Sequence, residues 1–586
     1  MKRFLLSAII LLFPLAVMSC NKTPEGGETP EEKVPAVPTG VRLHSATTTS
    51  LTFQWTAVSG ADSYTWKLTQ GGSQVKSANA SGRNVSIDGL TPGTAYAFSV
   101  CANAGGKSSA YSTAVEAMTE GNAPTPPDPD AKTVCVDATL VLELDSAPVL
   151  GNSGLIRIYT SDGTEVDRID LADLATVDIL ESGVTVPKTQ MKNDSKFTSF
   201  MDALGCGKRY RIVNCTPLRV KGNTLEIRPH YGVLDFSSSY FVTMDAGVIQ
   251  GHHGIEPGKW TFSTEARPKD DTRLRVAADG SGDFCTLQRA LGFANASGAT
   301  IFLAEGTYEG CLYLRDKNGI TIKGDDRKNV RIVYPNNESY ANGSGGGATS
   351  RPTLGAEVGT NGGRSLFLVE NCDNFVMEGL TIENAFFVSD HKGQAECIYF
   401  NSGSGSNTHK MTIENCSLLS WQDTFLTKGR VWVHNSLIAG HVDFIWGYPE
   451  VCLFENCEIR ARAGGYIIQA RVPKLTDTGF VFLNCSLTAE SGVADGSMYL
   501  ARSGGSTDYY DNVVLVNCKM SSVINKAGWH PDKAPNPNPP TATSGWREYG
   551  SVDASGKAVT GHNPLGKVLT AAEAEPYSSR EKVLGW

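Results

Sequence analysis

The sequence predicts an all-β chain whose C-terminal half is a parallel β-helix preceded by two β-sandwich domains. Three observations carry this. A strand-plus-asparagine segment recurs at intervals of 20 to 33 residues from about residue 381 onward, and repetition of that length is the mark of a solenoid. Short alternating apolar runs bounded by turn residues fill the region before it. The 61 glycines and 27 prolines among 586 residues favour strands and turns over long helices.

The N-terminus combines Met1-Lys2-Arg3, a mostly apolar stretch from Phe4 to Met18 broken by Pro14, and Ser19-Cys20. That is the layout of an export signal and is short for a membrane span. Val17-Met18-Ser19-Cys20 resembles a bacterial lipobox, which implies a lipid anchor on Cys20 and an exported lipoprotein at the outer membrane, facing the cell surface or the periplasm. Residues 21–36 (NKTPEGGETPEEKVPA) cannot bury a core and form a tether. Residues 37–119 carry Trp55, Tyr64 and Leu90-Thr91-Pro92-Gly93-Thr94-Ala95-Tyr96, the last placed as in a tyrosine corner, and this stretch resembles a fibronectin type III domain. Its aromatics are therefore expected in a core.

A Pro-rich linker, residues 120–133, leads to a second all-β unit, residues 134–267, with strand-like runs such as Leu140-Val141-Leu142-Glu143-Leu144 and Tyr240-Phe241-Val242-Thr243-Met244. The pattern resembles bacterial Ig-like domains. Gly251-His252-His253-Gly254 within it reads as a turn. Residues 268–586 form the solenoid. Its aligned segments place Asn384, Asn415, Asn435, Asn456, Asn484 and Asn517 at equivalent turns. These are expected to stack, their amides pairing with neighbours above and below.

Composition narrows the function. A net charge of -9 with interspersed signs gives no basic track for a phosphate backbone, which excludes nucleic acid as an expected partner. Of the 14 cysteines, Cys416, Cys457, Cys485 and Cys518 each follow an asparagine in a strand-like run and read as buried small hydrophobes. Cys206 and Cys215 could bridge a loop. No CxxC or His/Cys spacing indicates a metal site, and no metal or cofactor is expected. No Gly-x-Ser-x-Gly elbow is present, which argues against serine esterase chemistry.

Trp421-Gln422-Asp423-Thr424 and Val442-Asp443-Phe444-Ile445-Trp446-Gly447 set two aspartates 20 residues apart, about one coil of such a helix. Two adjacent carboxylates resist ionising together, so one with a cation beside it and one without acquire different roles. Glutamine amides donate hydrogen bonds without adding charge.

These motifs carry a family resemblance. Asp279-Gly280-Ser281-Gly282-Asp283-Phe284, Gly306-Thr307-Tyr308, Gly393-Gln394-Ala395, Gln422-Asp423-Thr424, the segment from Val442 to Gly447, and Tyr499-Leu500-Ala501-Arg502 occur in the order of the pectin methylesterase family. The resemblance implies a right-handed parallel β-helix that hydrolyses methyl esters of polygalacturonate. It implies Asp443 as nucleophile, Arg502 as its guanidinium partner, Asp423 as general acid and then base, and Gln394 and Gln422 as oxyanion donors. Trp446, Trp421, Arg471 and Tyr308 are assigned to substrate binding, and Lys428 and Arg430 to the surrounding charge. The expected partner is methyl-esterified pectin, bound by a monomer without cofactor.

Two departures stand out. Where the family has Leu-Gly-Arg-Pro-Trp, this chain has Leu500-Ala501-Arg502-Ser503-Gly504, and Gly310 stands where a glutamate is usual. They keep open a related β-helix esterase acting on another acyl group. A non-catalytic surface glycan-binding protein is the further alternative.

Overall fold

In the computed structural model the described residues are 34–91, 94–119, 132–173, 196–338, 348–358, 363–386, 393–403, 407–559 and 561–586, together with the strand backbones Val177–Ile179 and Thr185–Pro187. The export signal, Cys20 and the tether up to residue 33 lie outside them, as does most of the linker. The chain forms two compact units, residues 1–123 and 124–586.

The first unit is a sandwich of two antiparallel sheets. One contains Arg42–Ala46, Ser50–Gln54 and Asn84–Asp88; the other is built around Ser63–Gln70 and Ala95–Ala104. Alternation decides which side chains meet, and Phe53 stacks on Phe98 with ring centroids 4.1 Å apart. Trp55 meets Tyr64 edge-on at 5.3 Å, both buried. The Tyr96 hydroxyl accepts a 3.0 Å hydrogen bond from the Thr91 amide, which is the tyrosine corner. The aromatics are core residues here.

In the second unit an antiparallel sandwich is joined to the β-helix. Its larger sheet orders Glu165–Asp170, Leu155–Thr160, Ser239–Met244, Thr261–Thr264 and Lys132–Val134, the last pair parallel. A hairpin, Met201–Cys206 with Arg209–Asn214, projects beside it. One apolar core is continuous from Val136, Leu204 and Val213 of the sandwich to Leu312, Leu314 and Phe367 of the helix. The hairpin also explains why Cys206 and Cys215 do not bridge. Cys206 pairs with Arg209 at the turn end, whereas Cys215 follows Asn214 at the open end. Both thiols are free, the Cys206 sulfur lying 3.3 Å from the Arg315 carbonyl. In the turn Gly251-His252-His253-Gly254, the Gly254 amide donates to His252 Nδ1 at 3.0 Å.

The β-helix has three faces. One is an 11-stranded parallel sheet from Arg273–Val276 to Gly566–Val568. Along its strands burial alternates, as in Ile320–Gly324 and Lys410–Glu414, so every second side chain enters the lumen. Lumen residues of successive coils superpose, and Phe454 lies flat on Phe482 at 4.7 Å. The third face contains β1 (Ile398–Asn401), β2 (Phe425–Lys428), the C-terminal half of β3 (Leu437–Gly447), that of β4 (Glu458–Ala470), and β5 (Met498–Ala501). The N-terminal halves of β3 and β4 belong to the second face, pairing with Ser417–Leu419 and Ser486–Ala489.

At the turn leaving the first face, Asn415, Asn435, Asn456, Asn484 and Asn517 have φ between 49° and 56°. This left-handed region is tolerated by Asn and by Gly, and Gly379 (φ 70°) and Gly550 (φ 66°) occupy the same turn in flanking coils. The ladder is a backbone one: the Asn435 amide donates to Glu455 O at 3.2 Å and that of Asn456 to Leu483 O at 3.0 Å. The side-chain amides do not pair with each other as expected; Asn435 Nδ2 reaches Glu414 at 3.2 Å. Asn384 is not a rung at all. It ends a strand of the second face and is buried, its Nδ2 donating to the carbonyls of Asn336 (2.8 Å) and Glu396 (2.9 Å). Cys416, Cys457, Cys485 and Cys518, one residue past their rungs, are buried in the lumen.

Candidate active site

The two aspartates lie at the corner between the second and third faces, where the chain bends between sheets. Isolated parallel bridges join Gln394 to Gln422 and Gln422 to Val442, so residues of three consecutive coils are stacked there. The register Phe425↔Ile445 repeats the offset of 20 residues that separates Asp423 from Asp443, setting them side by side. The Asp423 amide donates to Val442 O at 3.0 Å. Both aspartates have positive φ, 64° and 47°. Beyond glycine, mainly Asn and Asp enter this region, and residues held in it concentrate where a side chain must be aimed.

Arg502, just past β5, closes on Asp443 with one guanidinium edge, through Nε and Nη2. Its Nε donates to Oδ1 at 2.8 Å and to Oδ2 at 3.1 Å, and Nη2 donates to Oδ2. The hydrogen bond to Asp443 is the main cause that raises the arginine's pKa above its ordinary value. Tyr466 lies under the guanidinium at 4.7 Å. Asp443 is thus a buried, ion-paired carboxylate.

Asp423 is held differently. It accepts from Gln394 Nε2 at 2.9 Å, and its nearest cation, Arg364 Nη2, is 3.6 Å away. Burial, then the Glu396 carboxylate, push its carboxyl well above the usual range, with Asp443 and Glu338 adding to the rise and Arg364 opposing it. A carboxyl that holds its proton more tightly than usual therefore stands beside an ion-paired carboxylate. Such a division can serve as a nucleophile beside a proton donor.

Arg364 and Glu396 belong to this cluster although the motifs did not indicate them. Arg364 Nε donates to Glu396 Oε1 at 2.7 Å, and Nη1 donates to Gln394 Oε1. Because that bond consumes the amide oxygen, the Gln394 NH2 group is the end presented to Asp423. Burial raises the Glu396 pKa, against the pull of Arg364. A local signal existed for Glu396, two residues beyond Gln394 and hence on the same side of an extended chain; Arg364 had none. Gln422 Oε1 accepts from the Gly393 amide at 3.4 Å.

The aromatic expectations divide. Trp446 is buried at the site, with Arg364 5.4 Å and Arg471 5.1 Å from its ring centroid. Trp421 lies with Arg462 at 4.1 Å and meets His441 edge-on at 5.9 Å. Tyr308 is not brought to the site. It sits in the strand Gly306–Glu309, four coils before β3, with its hydroxyl donating to Ala304 O (2.7 Å) and Val276 O (3.0 Å). It is a core residue, a correction to its assignment as substrate-binding. Lys428 donates to Gly403 O at 2.6 Å, and Arg430 pairs with Glu450 and lies over Trp586 at 5.0 Å. Both have structural partners.

Among the described residues one group has metal-ligand composition: Cys135, Asp137 and Cys285, with donor atoms within 4.8 Å of one another. Cys135 and Cys285 border a cavity of about 570 Å³ between the sandwich and the first coils, away from the aspartates. The Asp137 carboxylate is already engaged by the amides of Cys285 (2.9 Å) and Thr286 (2.7 Å) and by the Thr286 hydroxyl (2.6 Å). No role in the chemistry at the aspartates follows from it.

A family model of pectinesterases matches residues 273–581, just over half of the chain. The chain belongs to the pectinesterase family. As a member it is a carboxylic ester hydrolase, and a fibronectin type III model matches residues 36–118. Among similar curated proteins, Pectinesterase 31 of Arabidopsis thaliana is 32% identical over 263 residues, covering 44% of this chain and 76% of the relative. Pectinesterase QRT1 of the same plant is 26% identical over 382 residues, covering 62% and 91%. Among solved structures, the pectin methylesterase from carrot aligns with TM-score 0.44 at 23% identity, covering 55% of this chain and 95% of that one. Pectin methylesterase PemA from Erwinia chrysanthemi aligns with TM-score 0.43 at 23% identity, covering 54% and 98%.

Proposed function

We propose that the protein hydrolyses the methyl esters of polygalacturonate, yielding acidic pectin and methanol through an aspartyl acyl-enzyme. The observation that carries this is the bidentate pairing of Asp443 with Arg502 beside Asp423, whose buried carboxyl has a pKa raised well above the usual range. Asp443 attacks the ester carbonyl, and amide donors of Gln394 and Gln422 stabilise the oxyanion. Collapse of the tetrahedral intermediate breaks the bond to methoxide, which takes the Asp423 proton and leaves as methanol. Asp423, now a carboxylate, removes a proton from water as it attacks the anhydride; the product acid leaves and Asp443 is restored. Arg502 holds the attacking carboxylate in line throughout.

Trp446 and Trp421 offer apolar faces to sugar rings, and Arg471 offers positive charge to uronate carboxylates in an otherwise acidic protein. The N-terminal sequence supports, within the same proposal, export and anchoring through a lipid on Cys20. Incorporation of radiolabelled fatty acid, lost in Cys20→Ala, tests the anchor.

A second reading, a β-helix esterase for another acyl group, is favoured by one observation. A Cβ at Gly504, where the family carries an aromatic two residues after the arginine, would meet nothing within 4 Å. Assaying methanol release from highly methylated polygalacturonate beside acetate release from an acetylated one separates the two. Methanol release at least about 10-fold faster in kcat/KM, or 1.4 kcal/mol of transition-state preference, supports the first reading. Faster acetate release supports the second, and binding with neither product identifies a non-catalytic glycan binder.

A further inference from the structure

Arg211 is the most completely buried cation of the second sandwich, and its partners lie in the β-helix. It sits on the hairpin strand Arg209–Asn214 with no solvent exposure. Its Nη1 donates to Leu312 O at 2.6 Å and Leu366 O at 3.1 Å, and its Nη2 donates to Gly363 O at 2.9 Å and to Ser365 O. Gly363 and Ser365 flank Arg364, the residue that binds Glu396, Gln394 and Asp423.

The backbone at 363–365 precedes the strand Phe367–Glu370 and has no ladder of its own. Asn336 Nδ2 also donates to Gly363 O (2.9 Å) and Ser365 O (3.0 Å). Asn336 is in turn held by Asn384, which donates to Glu396 O at 2.9 Å. Buried carbonyls demand donors, and here they come from two places: Arg211 of the sandwich, and Asn336, which precedes residues 363–365 in their own coil and is tied through Asn384 to the coil bearing Glu396. A guanidinium with fixed fork geometry sets the spacing of the carbonyls it bonds.

We propose that the second sandwich is part of the active-site scaffold, with Arg211 as a positioning residue that fixes Arg364 and, through it, the Gln394 amide and the Asp423 carboxyl. This rests on the proposed roles of Gln394 and Asp423 in ester hydrolysis. Displacing Arg364 loosens the bond that orients Gln394. It also removes the positive charge that opposes the rise in the Asp423 pKa, so the alkaline limb of the kcat/KM profile moves to higher pH.

The test is a double-mutant cycle of Arg211→Met and Arg364→Gln in the full chain, with kcat, KM and the pH profile measured below the melting temperature of each variant. Methanol release by the wild-type chain is scored first; its absence overturns the functional reading itself and is distinct from any outcome of the cycle. With an active wild type, Arg211→Met is expected to lower kcat by about 10²-fold, the scale of a small misplacement of catalytic groups. KM should change less than about twofold, and Arg364→Gln should mask the effect of Arg211→Met. Arg211→Lys keeps a charged donor, restores part of kcat, and serves if the Met variant does not fold. Wild-type kcat and alkaline limb in folded Arg211 variants, or losses that multiply with Arg364→Gln, would overturn the proposal.

Discussion

Asp423 and Asp443 share a residue type, a positive φ and neighbouring coils, yet their surroundings separate them: one has a bidentate arginine, the other burial and nearby carboxylates. The separation has a consequence for stability. The folded-state pKa of Asp423 is raised, so the folded chain binds its proton more tightly than the unfolded chain, whose value is about 3.9. Between the unfolded and folded values, stability falls as pH rises, by about 1.4 kcal/mol per pH unit. Asp423→Asn removes that ionisation. The variant is expected to melt above wild type at pH 7 and to lose its advantage near pH 4, as scanning calorimetry across pH would read. An advantage that did not vary with pH would show that Asp423 is not the group responsible. The spacing of the aspartates was legible in the sequence because a solenoid turns sequence distance into spatial stacking. Arg364 was not, because its partnership with Glu396 joins different coils and no spacing rule links positions 364, 394 and 423.

At the scale of the element, the repeat itself was readable but its register was partly misleading. Thr381-Ile382-Glu383-Asn384 and Thr412-Ile413-Glu414-Asn415 are the same four-residue sequence. The first lies on the second face and buries its asparagine against Asn336 and Glu396; the second lies on the first face and turns it into the left-handed region. Apolar alternation identifies a strand but does not say which face of the helix it serves. The rungs that were correctly read owe their identity to φ rather than to amide pairing. Asn456 has φ 54°, so Asn456→Ala is expected to cost about 1–2 kcal/mol while Asn456→Gly stays within about 0.5 kcal/mol of wild type. Urea titration of both variants measures this. Equal destabilisation by Ala and Gly would return the ladder to its side chains.

For the whole molecule, the sequence separated sandwich from solenoid by the spacing of its strands and the recurring asparagine, but it did not show that the second sandwich shares a core with the β-helix. That continuity depends on contacts such as Arg211 with Leu312 and Ser365, more than 100 residues apart. The first sandwich has its own closed core around Phe53, Trp55 and Phe98. A domain with a complete core folds independently. A chain beginning at residue 124 is therefore expected to keep its kcat for methanol release within about twofold and its melting temperature within roughly 2 °C, since ΔΔG near zero moves Tm little. A large loss of either would assign the first sandwich a part in the catalytic unit.

In the proposed mechanism the Asp443 carboxylate is the attacking group. The direct measurement is kcat for methanol release by Asp443→Asn, in protein whose melting temperature and binding of methylated oligogalacturonate are checked in parallel. The structure predicts a fall of about 10⁴-fold, typical of removing a covalent nucleophile, with the chain folded and still binding. Activity within tenfold of wild type would contradict the acyl-enzyme.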